Sequence, residues 1–353
     1  MNGSAPASLL QIAARVERRL GEVLEPELAR WAAFDPDLEE PLAEIPRLVL
    51  GGGKRLRPAF CHWGYAAAGG DPTDAIVADA GAAFELMHAF ALFHDDVMDD
   101  AASRRGLPTT HTRFAERHRD EGWVGDGRRF GEGIAILIGD LAFVFADRLM
   151  APVNRTAWDV WDELRIELNL GQVLDILGSV QNDRRRAKAE RICRYKSGKY
   201  TIERPLHLGA AMAAPDRVDE LMPQLSAYGL PLGDAFQMRD DVMGAFGDPA
   251  VTGKPVGGDL REAKPTPLLA RAVESATPAQ AAVLQMVGRV DLSDDDVARV
   301  QQAIVDTGAL ADLELSIDAL VAEAVDAIRT APIAPVARQA LVELADYVSR
   351  RLA

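Results

Sequence analysis

FELMHAFALFHDDVMDDAASRRGLP, Phe84 to Pro108, opens as an apolar run, carries four carboxylates within six residues, and closes on a Gly/Pro turn. The apolar character reaches back to Ala75, so Ala75–Asp100 is expected to be one long helix enclosed on most sides by other helices. Asp95 and Asp99 are four residues apart, as are Asp96 and Asp100, which puts each pair on one helix face. These acids repel one another and crowd toward the helix C-terminus, where the macrodipole disfavours negative charge. Something cationic must offset that. Oxygen ligands, no histidine–cysteine cluster and room for water point to Mg²⁺ bridging to phosphate oxygens. A lone DD pair at a helix end can also be merely solvated. The apolar run before it and Arg104-Arg105 after it weigh against that reading. Acids and guanidinium groups at the mouth of an apolar passage suit an anionic head on a greasy tail.

The rest of the chain is written in the same helical period. Leu9–Trp31, Trp158–Leu177, Lys188–Ala213, Met222–Ala245, Thr266–Ala276, Pro278–Gly288, Asp294–Thr307, Ala311–Ile328 and Pro335–Leu352 repeat apolar residues at three- and four-residue steps. Breakers separate them at Gly51-Gly52-Gly53, Gly69-Gly70-Asp71-Pro72, Gly106-Leu107-Pro108, Gly247-Asp248-Pro249 and Gly257-Gly258. Arg113–Phe130, polar and glycine-rich, is expected to be a surface loop. No convincing alternating strands and no linker are visible. The expectation is an all-α protein: a frayed N-terminus over residues 1–7 and one large helical domain over 8–353.

Composition narrows the function. With 54 acidic and 39 basic residues among 353, the net charge of −15 argues against general binding to nucleic acid or anionic membranes. It leaves room for a local basic pocket. Two cysteines, Cys61 and Cys193, form neither a CxxC nor a disulfide framework, which fits a reducing cytoplasm. No secretory leader is recognisable at the N-terminus. The apolar stretch Gly133–Met150 is broken by Asp140 and Asp147 and suits a helix buried among helices rather than a membrane span. A soluble protein is expected.

RDDVMGAFGD, Arg239 to Asp248, echoes His94–Asp100 in the second half of the chain. An apolar helix again leads into an acid pair, Asp240-Asp241, but Gly244 stands where the first copy has Asp99. Basic anchors lie elsewhere: Lys54, Arg55 and Arg57 in GGGKRLRP, Lys196, Ser197 and Lys199 in YKSGKYT, Lys254 and Lys264 in GKPVGGDLREAKPT. Each lysine taken singly fits a solvated loop, and His88, two turns before Asp95, fits a core residue. GGGKRLRP is not a Walker A loop. As a set, a basic cluster after a glycine run can close on a diphosphate, arginine by forked hydrogen bonds and lysine as a point charge.

In this order, GGGKRLRP, ELMHAFALFHDDVMDDAASRRGLPT, YKSGKYT, FQMRDDVMGAFGD and GKPVGGDLREAKPT closely resemble the trans-isoprenyl diphosphate synthases, or polyprenyl synthetases, over Gly51 to Thr266. The resemblance implies an all-α bundle around a deep central cavity, usually homodimeric. It implies condensation of isopentenyl diphosphate with an allylic prenyl diphosphate, with Mg²⁺, three ions per site, as cofactor. By position, Asp95, Asp99 and Asp240 would bind the ions, supported by Asp96 and Asp241. Arg104, Lys196, Gln237, Lys254 and Lys264 would hold the allylic diphosphate; Lys54, Arg57, His88 and Arg105 would hold isopentenyl diphosphate. Lys196, Ser197 and Gln237 would stabilise the departing group and the carbocation. Ser197 stands where the family more often has threonine, and Ala263 where glycine is usual. Gly244 is expected to be a tolerated loss, because an acid there would reach metal only through water.

The prenyl tail should run down the first-motif helix away from its acids. Phe90 and Ala91, five and four residues before Asp95, are therefore the expected floor of the tail channel. One aromatic there, with a two-residue spacing in the motif, resembles geranylgeranyl (C20) synthases. Farnesyl or longer-chain synthesis is the alternative within the class. A class I terpene cyclase would need no second diphosphate site, and a non-catalytic subunit would have lost an essential acid or Lys54 and Arg57.

Overall fold

The computed structural model describes residues 5–181, 183–247, 257–289 and 291–350. Lys254, Asp248, Pro249 and Leu352 lie outside the described residues, as do residues 1–4 of the expected N-terminal tail. The described chain is helical almost throughout. In order it forms α1 (Ala7–Phe34), α2 (Glu39–Val49), α3 (Leu56–Ala67) and α4 (Ala75–Met98). A two-residue hairpin follows, β1 (Ser103–Arg104) with β2 (Leu107–Pro108), then α5 (Thr110–Asp120), α6 (Gly127–Met150), α7 (Arg155–Gln181) and α8 (Arg186–Cys193). A π-helical segment, Arg194–Glu203, leads into α9 (Arg204–Ala213) and α10 (Val218–Phe246). The remaining helices are α11 (Gly258–Arg261), α12 (Pro267–Ser275), α13 (Pro278–Leu284), α14 (Asp294–Asp306), α15 (Ala309–Thr330) and α16 (Pro335–Arg350).

These elements fall into two compact units: Ala7–His62 with Asp71–Val153, and Trp63–Gly70 with Asn154–Ala353 and the first residues Met1–Pro6. In the first unit, α1 buries Leu9, Ile12, Val16, Leu20 and Leu24, a stripe at three- and four-residue steps. Arg15 donates to the carbonyls of Pro72 at 2.5 Å and Thr73 at 2.6 Å, holding the turn that starts α4. α4 is buried on nearly every side from Val77 to Ala89, in line with its uninterrupted apolar sequence, and buries only Phe93 and Asp96 beyond that. It is also long and apolar enough to cross a membrane, but two thirds of that window is buried in the protein.

Residues 113–130, expected to be a loop, are mostly helix: α5 and the first turn of α6, with only 121–126 between them. The reason lies in polar packing. Thr110, His111, Phe114 and His118 form a buried stripe of helical period in which only one residue is apolar. Within and beside this stripe, Thr110 Oγ1 donates to Glu44 Oε2 at 2.5 Å and Arg113 binds Glu40 at 3.0 Å. Glu44 itself is fully buried on α2, where Arg47 already bonds both of its oxygens at 3.0 Å, so the hydrogen bonds from α5 complete the pairing of a buried carboxylate.

The second unit is built on α10. Ala235, Met238 and Ala245 pack with Leu260, Leu268, Leu269, Val297, Val300, Ile304 and Leu313 in one apolar cluster. Arg239, beside the second acid pair, is committed to this framework: it forks onto Glu314 with two bonds of 2.7 Å. Ala263 adopts φ +56°, a left-handed conformation that favours glycine, which accounts for the glycine usually found at this motif position.

Candidate active site

In the first unit the site is assembled around the C-terminal end of α4. The hairpin turn has Arg105 at φ 52° and Gly106 at φ 73°, the pair of positive values that a type I′ turn requires. This turn folds Arg104 back onto the first motif. Arg104 Nε donates to Asp96 Oδ1 at 2.8 Å, and Nη2 lies 3.4 Å from Asp95 Oδ2. Burial opposes the charge on Arg104, but the hydrogen bond to Asp96 and the charges of Asp95 and Asp99 outweigh it and raise its pKa. Burial pushes the Asp96 carboxyl up, with Arg104 pulling against it.

Arg105 turns the other way and donates to the carbonyl of Gly52 at 2.7 Å, clasping the glycine run. His88 is held well below the usual histidine range, by burial first and then by Arg57, Arg104, Arg105 and Arg55. The charges of these four guanidinium groups act on the imidazole in addition to its burial. Of the residues expected to hold isopentenyl diphosphate, Arg57 in α3 and Arg105 in the hairpin turn both act on His88, and Lys54 precedes α3.

Arg55 departs from the sequence reading. It was grouped with Lys54 and Arg57 as a diphosphate anchor, but it is buried, at 4% exposure, and spent inside the protein. It pairs with Glu85, lies 3.1 Å from Glu17, and donates to the carbonyl of Val49 at 2.5 Å. Its φ of +50° turns the chain so that Arg55 points inward next to Arg57.

Phe90 and Ala91 face differently. At about 100° per residue, four residues bring Ala91 nearly into line with Asp95, whereas five rotate Phe90 by roughly 140°. Phe90 meets Phe143 of α6, with ring centroids 4.9 Å apart, and His94 at 4.7 Å.

In the second unit, the expected helix over Lys188–Ala213 is interrupted. Lys196, Ser197 and Lys199 all lie in the π-helical segment. Such winding is rare and concentrates at functional sites. Gly198 and Gly233 pack backbone to backbone there: a Cβ on Gly233 would sit 2.8 Å from the Gly198 carbonyl oxygen. Lys196 Nζ donates to Asp175 Oδ2 of α7 at 2.5 Å, and Glu167 takes both Lys199 and Arg204, the latter at 2.6 Å. Asp175 and Glu167 were not singled out from the sequence. Nothing nearby in the sequence marks either acid as the partner of a lysine 21 or 32 positions on.

On α10, Asp240 is half-buried and Asp241 is 2% exposed. Gln237 Nε2 donates to Asp241 Oδ1 at 3.0 Å, while Oδ2 has no hydrogen-bond partner among the described residues. Burial raises the Asp241 carboxyl well above the usual carboxylate range, opposed by the Gln237 bond and reinforced by Asp259 and Asp240. Lys264 Nζ lies 2.6 Å from Glu262. A buried carboxylate oxygen with no partner, beside two further acids, suits a cation brought in by a ligand.

Residues 39–305 match the Polyprenyl synthetase family model. The chain is 33% identical to the geranylfarnesyl diphosphate synthase of Aeropyrum pernix, over 86% of this chain and 92% of that one. It is 31% identical to the geranylgeranyl diphosphate synthase of Mycobacterium tuberculosis, over 93% and 92% respectively. A crystal structure of geranylgeranyl pyrophosphate synthase from Corynebacterium glutamicum, complexed with isoprenyl diphosphate and magnesium, matches with a TM-score of 0.90 at 35% identity, covering 97% of this chain and 99% of that one. The chain belongs to the polyprenyl synthetase family and has the all-α fold of that solved structure.

Proposed function

We propose that the protein joins isopentenyl diphosphate head to tail (1′-4) to an allylic prenyl diphosphate, releasing diphosphate, with geranylgeranyl diphosphate (C20) as its product. The observation that carries this reading is Arg57 and Arg105, the latter held on the Gly52 carbonyl, whose charges both act on His88, on the helix that also bears Asp95 and Asp96. That unit has a place for an anion beside its acids, as two-substrate chemistry demands and a cyclase does not. Lys54, Arg57, His88 and Arg105 receive isopentenyl diphosphate. Arg104, Lys196, Gln237 and Lys264, with Lys254 from outside the described residues, hold the allylic diphosphate.

The acids fit Mg²⁺. It keeps several waters and takes only one or two carboxylates beside phosphate oxygens. No tight cage of three side chains is needed, and none is present among the described residues. Asp95, Asp99 and Asp240 would hold the metal, three ions in all, with Asp96 and Asp241 in support. When bound, it supplies Lewis-acid stabilisation of the leaving diphosphate. The protein's own groups do the rest: Arg104 and Lys196 meet the developing negative charge, and the dipoles of Ser197 and Gln237 face the carbocation without attacking it. The departing diphosphate takes the final proton, so no side-chain base is required. Labelled isopentenyl diphosphate incubated with C5, C10 and C15 allylic primers and Mg²⁺ should give prenyl diphosphates ending at C20. Diphosphate release from an allylic primer alone would instead make the enzyme a cyclase.

Phe90 with Phe143 is the proposed stop for the tail, and Ala91 lines the way to it. Phe90→Ala is therefore expected to shift the product beyond C20 on reversed-phase chromatography. An unchanged product distribution removes Phe90 from this role.

The enzyme is proposed to act in the cytoplasm as a homodimer. Ile166, Leu170, Val173, Leu177 and Val180 lie exposed along α7 at alternating steps of four and three, the spacing of a helix–helix seam. On α6, Leu137 and Val144, seven apart, are also exposed. Light scattering should return twice the 38.1 kDa chain mass, and Leu170→Glu should lower it; a monomeric wild type contradicts the dimer.

A further inference from the structure

Gly244 marks where the second motif lacks the third acid of the first. Its side-chain space is not empty. A Cβ built on Gly244 would lie 1.9 Å from Asp259 Oδ2 and 2.4 Å from Asp259 Cγ. The carboxylate of α11, fifteen residues further along, thus occupies the volume directly above position 244. It is half-buried there, one helical turn beyond Asp240 and Asp241. Asp259 also acts on the buried Asp241 carboxyl, whose Oδ2 has no partner among the described residues.

We infer that Asp259 supplies from α11 the third carboxylate that the second motif lacks, and that residue 244 is glycine because this carboxylate fills its side-chain space. The acidic set of this unit is then Asp240, Asp241 and Asp259. Gly244 is a filled position, not a loss. Asp259 acts as a positioning residue toward the waters of the bound metal, so the inference rests on the Mg²⁺-dependent reading above.

The inference separates two quantities that normally move together. Gly244→Ala inserts a methyl group that pushes Asp259 aside and removes no charge. It also replaces a glycine inside a long helix, which by itself raises stability. Gly244→Ala is thus expected to keep or raise the melting temperature while weakening metal uptake. Gly244→Asp displaces Asp259 too, but brings its own acid, so it should remain within about tenfold of wild type.

The test is binding of Mn²⁺ in the presence of inorganic diphosphate, read by electron paramagnetic resonance, with circular dichroism melting of the same samples. Asp259→Asn and Gly244→Ala are each expected to weaken Mn²⁺ binding at least tenfold, and the double variant Gly244→Asp/Asp259→Ala to recover to within about threefold of wild type. Asp259→Asn binding Mn²⁺ like wild type, or a double variant no better than Asp259→Ala alone, overturns the inference. A wild type that takes up no Mn²⁺ with diphosphate overturns the metal-dependent reading itself, and the inference with it.

Discussion

Asp240→Ala lowers kcat/KM for the condensation at least about a thousandfold, on the order of 4 kcal/mol of transition-state stabilisation, and leaves the fold intact. The two halves of this expectation have separate causes. Asp240 is half-buried and belongs to a group of acids that repel one another; its charge is among the causes that raise the carboxyl of Asp241. Removing it relieves that repulsion without opening a cavity, so the melting temperature should hold or rise. Activity depends on the same charge, because a cation brought to the site with diphosphate is held by it. Stability gained where function is lost marks a group kept for chemistry. Steady-state kinetics with C5 to C15 primers, paired with thermal melts, decide the matter. Turnover within tenfold of wild type would move the metal away from Asp240.

The long apolar helices were legible because each carries its own period. α4 and α10 announce themselves, acids included, in a single uninterrupted stretch. What stayed hidden depends on partners distant in sequence. α5 looks like a loop because the face it buries is polar and its anchor, Glu44, lies 66 residues from Thr110. The π-helical turn that carries Lys196 and Ser197 needs the close approach of Gly198 and Gly233, two glycines that mean nothing separately. Lys196 was readable as a cation for diphosphate; its tether to Asp175 was not. Gly244 read as a missing acid because the sequence cannot show that Asp259 returns to the same place. Motifs expose the residues whose chemistry suits a substrate, while the partners that hold them emerge only with the fold.

The adjacent arginines of GGGKRLRP give the largest stability prediction. Arg55 has 2% of its side chain exposed and Glu85 has 7%, so their ion pair is buried, with Glu17 and the Val49 carbonyl completing the guanidinium's bonds. Arg55→Ala strands the Glu85 carboxylate in the interior and should cost about 3–5 kcal/mol, the usual penalty for breaking a buried pair from one side. Urea denaturation would register it as an earlier midpoint. Replacing both partners, Arg55→Leu with Glu85→Leu, removes the stranded charge and should recover most of the loss, since paired buried charges contribute little over apolar groups of similar volume. Arg57→Ala should behave oppositely: an unchanged midpoint, with a raised KM for isopentenyl diphosphate and little change for the allylic primer. Two neighbours of the same residue type would then fail in different assays. If Arg55→Ala unfolds at the wild-type midpoint and raises KM instead, Arg55 reaches the substrate and the sequence was right to group it with Lys54 and Arg57. If both variants lose stability equally, the loop is structural throughout, and isopentenyl diphosphate must be held by Lys54, His88 and Arg105 alone.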